Sequence, residues 1–136
     1  MTAKEYLTQS LAIERLLAAK RRLLKKLQWQ SVSLSASVLS DKVMGTHHGS
    51  MTTADKIMDL EMEIVRQENA LVDKQREIIA KIQVVCNPTW IAVLTDRYIT
   101  GMTFEDISES MSKSVRTISV WHGQALQAFR KETGLK

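Results

Sequence analysis

The side chains best arranged to engage another molecule lie between Thr103 and Val120. Arg116 carries a planar guanidinium, which can donate two parallel hydrogen bonds to the O6 and N7 atoms of guanine. Val115 and Val120 are apolar and of a size to meet a thymine methyl group. Ser119 is a small polar neighbour to both. Ser114, Thr117, Thr103 and Lys113 offer hydroxyls and an ammonium suited to phosphate oxygens. This is the chemistry of reading a nucleic-acid surface. Elsewhere the chain has no glycine-rich phosphate loop, no metal-ligand spacing and no Ser/His/Asp or Cys/His set. No enzymatic activity, cofactor or metal site is therefore expected. His47 and His48 are adjacent, without further ligands at suitable spacing, and are expected in a loop. Cys86 has no His or Asp motif beside it and is expected as a small buried hydrophobe. His122 is expected at the surface.

Such a reading set needs a helix held firmly across a second one. In the twenty residues from Phe104, Ile107 takes place 4, Ser108 place 5, Met111 place 8, Ile118 place 15 and Trp121 place 18. A helix-turn-helix needs apolar side chains at places 4, 8, 15 and 18, where its helices meet, and a small one at place 5, where they cross. Place 9 is often glycine but is Ser112 here, and place 10 is often aliphatic but is Lys113. Three helices are expected, over 88–99, 104–111 and 115–132. Thr100-Gly101-Met102 separates the first two. Thr103 with Asp106 three residues on forms a capping pair, and Ser114 caps the last helix. In this geometry the second helix enters the major groove by its first turn. Ile107, Met111, Ile118, Trp121, Ala125 and Phe129 are then core.

The segment from Thr89 to Arg130 resembles region 4 of sigma-70-type factors. The resemblance rests on Val93-Leu94, Arg97-Tyr98, Gly101, Glu105-Asp106 before Ile107, Ser114, Thr117-Ile118 and Ala125-Leu126, in register without a gap. The whole chain, with a long helical part before this motif, is similar to small sigma-like regulators of bacterial phages and prophages, of the RinA and ArpU types. The resemblance implies double-stranded DNA as partner, control of phage genes in a bacterial cytoplasm and contact with RNA polymerase. It also implies that Arg97 and Gln124 lie near the DNA backbone.

The remainder reads as a helical hairpin. A first helix over about 3–39 repeats Ile13, Leu16, Leu23, Leu27 and Leu34, with Leu17 and Leu24 as alternatives in phase. Residues 40–52 carry two glycines and no periodicity, and read as a loop. In the next helix Ile57, Ile64, Leu71, Ile78 and Val85 recur every seven residues, while Gln67 and Lys74 interrupt the intervening apolar positions. Such a stripe needs a partner helix. The first helix, folded back, and a second copy of the chain are both expected to serve. Cys86-Asn87-Pro88 ends the helix and marks the boundary between 1–86, for pairing and dimerisation, and 87–136, for DNA.

Charge supports this division. The 136 residues carry a formal +4, split as +5 over 1–50, −2 over 51–86 and +1 over 87–136. The surplus sits in Lys20, Arg21, Arg22, Lys25 and Lys26, opposite an acidic helix. That run serves helix pairing or a secondary nucleic-acid contact. One cysteine excludes an internal disulfide framework. No run of 18 apolar residues is present, so no membrane partner is expected. Low glycine and proline with abundant Leu, Ile, Lys and Glu point to an all-α protein. A protein–protein adaptor that binds polymerase or a sigma factor, with little DNA contact, is the competing reading.

If the seven-residue stripe is a packing seam, Ile64→Lys with Leu71→Lys should abolish the hairpin or the dimer. Circular dichroism and mass in solution check this, and unchanged values for both would refute the seam.

Overall fold

Three helix starts in this chain are set by one recurring device. Thr2, Thr52 and Thr103 each accept a hydrogen bond on Oγ1 from the backbone N–H three residues on. The carboxylates of Glu5, Asp55 and Asp106 accept one in return from the threonine N–H. Each pair satisfies two donors that the first helical turn leaves without partners. The exchange also holds the Glu5 carboxyl below its ordinary range, chiefly through the Thr2 backbone N–H.

The computed structural model describes residues 1–38 and 52–136. Within them every regular element is helical. Helix α1 spans Ala3–Leu7, α2 Gln9–Val38, α3 Thr53–Ile82, α4 Pro88–Tyr98, α5 Phe104–Met111 and α6 Val115–Thr133, with a 3-10 turn over Gln83–Val85. The fold is therefore all-α, as composition and periodicity require. His47, His48 and most of the expected loop over 40–52 lie outside the described residues. None of the described helices is long and apolar enough to cross a membrane.

The single first helix expected over 3–39 is divided at Thr8, whose hydroxyl donates to the carbonyls of Lys4 and Glu5. The end of α3 also differs from expectation. Cys86 is exposed and takes a left-handed conformation, φ 62°, closing the 3-10 turn. It is not a buried hydrophobe. Asn87 does not end α3. Its Oδ1 accepts from the N–H groups of Thr89 and Trp90 and so starts α4, with Pro88 in the first turn. Beyond α4, Gly101 at φ 78° reverses the chain where only glycine does so without strain. An added Cβ there would come within 3.2 Å of Leu11.

The chain forms two compact units, one of Met1–Glu14 with Ala70–Lys136 and one of Arg15–Asn69. The packing boundaries thus fall at 14/15 and 69/70, whereas the sequence marks 86/87. In the first unit Ala3, Leu7, Ile78, Ile82, Val85, Leu94, Tyr98, Ala125, Leu126 and Phe129 share one core. The Tyr6 ring stacks on Phe129 with centroids 6.2 Å apart. Ala3 N–H donates to the Lys136 carbonyl over 2.8 Å, and the buried Ser10 hydroxyl donates to the Tyr98 carbonyl over 3.2 Å. Lys74, one of the two polar interruptions in the seven-residue stripe, turns its ammonium to Glu77 at 2.8 Å.

In the second unit α2 and α3 lie side by side, joined by Lys20–Glu63 at 3.4 Å and Arg21–Glu68 at 2.8 Å. Leu17, Leu60 and Ile64 are buried, and Leu24, Leu27 and Ile57 are half-buried. Leu16 and Leu23, expected in the seam, are 48% and 47% exposed. The leucine pairs 16/17 and 23/24 offer two phases 100° apart, and Leu17 with Leu24 is the one that faces inward.

The first unit's core draws on both ends of the chain. Leu7→Ala should therefore cost about 2–5 kcal/mol, the range for a fully buried leucine. Chemical denaturation should show this loss; a change below about 1 kcal/mol would mean that α1 is peripheral to the core.

Candidate nucleic-acid interface

The arrangement of α5, a three-residue turn and α6 is held from both sides. Ile107 and Ile118 are fully buried with Val93, and Met102, Phe104, Met111 and Trp121 pack around them. These include all four apolar places of the motif. Ser112 explains why glycine is usual at its place. It takes the left-handed conformation, φ 54° and ψ 42°, and its N–H donates to the carbonyls of Ser108 and Glu109. Ser108 does more than fit a close crossing. Its carbonyl accepts the Lys113 N–H at 3.0 Å, and its hydroxyl donates to the Lys113 carbonyl. Ser114 Oγ accepts the Thr117 N–H at 3.1 Å and shares a hydrogen with Thr117 Oγ1 at 2.8 Å. These contacts fix the angle at which α6 begins.

The first turns of α6 then present one open face. Val115, Arg116, Ser119, Val120 and Gln124 are exposed, as are Lys113, Ser114 and Thr103 nearby; Thr117 is half-buried. The Ser114 and Thr117 hydroxyls already bond each other, and Thr103 Oγ1 is engaged by Asp106, so each meets a phosphate only with what hydrogen-bonding capacity remains. Gly123 belongs to the same face, at i+7 from Arg116 and i+3 from Val120. Open space lies where its Cβ would be. A glycine inside a helix costs about 1 kcal/mol relative to alanine. Its effect here is to leave the backbone bare beside the candidate readers. An interior glycine in a helical stretch is the signal for this feature in the sequence.

Arg97 is held within the fold. Its Nη1 donates to the Met102 carbonyl at 3.0 Å, and its guanidinium lies 4.8 Å from the centre of the Phe104 ring. It thereby ties α4 to the entry of α5. His122, expected at the surface, is buried. Its Nε2 lies 2.8 Å from the Tyr98 hydroxyl, and the Phe104 ring meets it edge-on at 5.1 Å. A helical period places residue 122 beside Ile118 and Ala125, facing inward, whatever its polarity. Burial pushes its pKa down from 6.5 to about 4, with smaller contributions from Lys4 and Arg97. Burial likewise pushes the Tyr98 phenol up.

Formal charge at this end is nearly balanced. Lys113 and Arg116 are exposed, but so are Glu105, Asp106 and Glu109 on α5. Among the described residues no group of three or more His, Cys, Asp or Glu side chains could hold a metal ion. Comparison of the chain with protein-family patterns, curated proteins and solved structures finds no match.

His122 makes stability depend on pH in a defined direction. Its folded pKa is depressed, so between pH 6.5 and about 4 the unfolded chain binds more protons. The contribution is complete above pH 6.5 and is lost as pH falls toward 4. Thermal melts of the protein and of His122→Gln should converge as pH falls through that window. Parallel curves would show that His122 titrates normally in the fold.

Proposed function

We propose that this chain is a sequence-specific DNA-binding regulator of transcription, of phage type, acting as a dimer at promoters in the bacterial cytoplasm. The observation that carries the reading is the exposed first turn of α6 on a helix-turn-helix scaffold. Arg116 and Val120 point away from fully buried Ile118. In that geometry the first turn of the second helix meets base edges in the major groove. Arg116 reads guanine, Val115 or Val120 meets a thymine methyl, and Ser119 adds an adaptable polar contact. Lys113, Ser114, Thr117, Thr103 and Gln124 hold the flanking backbone. Two copies would double these contacts and convert the second into a local event. Leu16 and Leu23 on α2, and Met58, Met62, Val65 and Val72 on α3, are apolar and exposed, and supply material for such an interface. No step of this reading requires catalysis.

One observation favours the adaptor as a second reading. With a charge of only +1 over 87–136, this part of the chain gains little from counterion release on DNA. Selection of bound sequences from random duplexes, with and without RNA polymerase, separates the two readings. Enrichment without polymerase supports the reader, and enrichment only with polymerase supports the adaptor. For the reader, Arg116→Ala should weaken the selected site by about 1–3 kcal/mol and relax preference at one base pair. Unchanged affinity and preference would remove Arg116 from the reading set.

A further inference from the structure

The basic run of α2 is not one surface. Lys20 and Arg21 turn toward α3 and pair with Glu63 and Glu68. Arg15, Arg22, Lys25 and Lys26 do not. All four are exposed, and among the described residues none has a carboxylate within ion-pair distance. At 100° per residue these four fall within about 100° of one another, on the side of α2 opposite buried Leu17. Trp29 falls in the middle of the same face, at i+3 from Lys26, i+4 from Lys25 and i+7 from Arg22. It is 74% exposed.

An ordinary solvated face does not look like this. Solvent faces of helices intermix signs, whereas α2 carries no acid from Arg15 to Val38. Arg22 repels both Lys25 and Lys26 at three- and four-residue spacing, which costs helix stability unless an anion lies across them. Nor does the face need an indole for its own packing. Leu17 and Leu24 face inward, the exposed Leu16 and Leu23 lie to one side of the cationic face, and Trp29 with Val32 is too narrow a band to enter a lipid surface. Cations flanking an exposed aromatic ring are what a single strand of nucleic acid requires: phosphates for the charges and an unpaired base for the ring. A duplex keeps its bases stacked inside and leaves the indole unused.

We infer that the outer face of α2 is a second nucleic-acid site, specific for a single strand, in which Trp29 stacks on an unpaired base and Arg15, Arg22, Lys25 and Lys26 hold the phosphates. The face spans roughly 21 Å from Arg15 to Trp29 at 1.5 Å per residue, room for a few nucleotides. It shares no residue with α6, so it stands or falls apart from the reading of α6.

The test is binding of a fluorescent oligothymidine to the full-length protein across a salt series. With four phosphate contacts, log K should fall against log salt with a slope near −2.8, about 0.7 per contact on a single strand. Arg22→Gln with Lys25→Gln and Lys26→Gln should flatten the slope by about 2. Trp29→Ala should weaken binding about 5- to 150-fold at constant slope, while Trp29→Phe keeps most of the affinity. Circular dichroism should be unchanged in all three variants, since none touches the core. Unaltered affinity in Trp29→Ala, or equal competition by a duplex of the same length, would overturn the proposal. So would binding to phosphatidylserine vesicles, with the same residue dependence, in place of the oligothymidine. Arg116→Ala should leave oligothymidine binding intact, which keeps this test separate from that of the base reader.

Discussion

The burial of Phe129, Ala125 and Leu126 is the interaction on which the first unit depends. These side chains come from the second half of α6, yet their neighbours come from distant parts of the chain: Ala3 and Leu7 near its start, then Ile78, Ile82 and Val85 at the end of α3 and in the turn that follows. A helix of 19 residues has little stability alone in water. Packing fixes α6 along its length. Its first half is gripped through Ile118 by Ile107 and Val93, and its second half through Phe129 by α1 and the end of α3. The exposed face that carries Arg116 is therefore presented by a helix with no freedom to rotate. Preorganisation of this kind lowers the ordering cost of binding.

The turn before α6 shows the same constraint locally. Ser112 holds a left-handed conformation that costs an ordinary residue roughly 1–2 kcal/mol. Its neighbours offset that cost. Ser108 exchanges two hydrogen bonds with Lys113, and the Ser112 N–H finds carbonyls in the last turn of α5. Burial of Ile107 against Ile118 then selects this turn over looser ones. The strain is local and the compensation is spread over both helices, so the turn is rigid without a glycine.

Much of this was legible because it depends on local rules. Helix type followed from composition, the starts of α5 and α6 from Thr103 and Ser114, and the inward positions of α5 and α6 from a spacing of three and four. What escaped the sequence depends on distant partners. Nothing near Leu7 or Ser10 says that they meet Phe129 and Tyr98 some ninety to one hundred and twenty residues away. The phase of α2 was ambiguous because adjacent leucines satisfy either choice. His122 and Cys86 depart from expectation for opposite reasons. A titratable ring suggests the surface although its helical phase faces inward, and a small sulfur residue suggests the core although it occupies a left-handed helix end. In both cases geometry overrode residue type.

The distribution of charge decides what the candidate interface can contribute. Lys113 and Arg116 stand near Glu105, Asp106 and Glu109, so the reading end carries little long-range attraction for a polyanion. Discrimination there must come from short-range contacts, for which Arg116 and the bare backbone at Gly123 are suited. Long-range attraction resides instead in Arg15, Arg22, Lys25 and Lys26, which are exposed and, among the described residues, have no carboxylate within ion-pair distance, whereas Lys20 and Arg21 pair with Glu63 and Glu68. On the two proposals made above, the charge surplus on α2 and the hydrogen-bonding groups on α6 would serve different ligands, a single strand and a duplex. On those proposals, salt would weaken binding at α2 far more than the choice among sequences at α6.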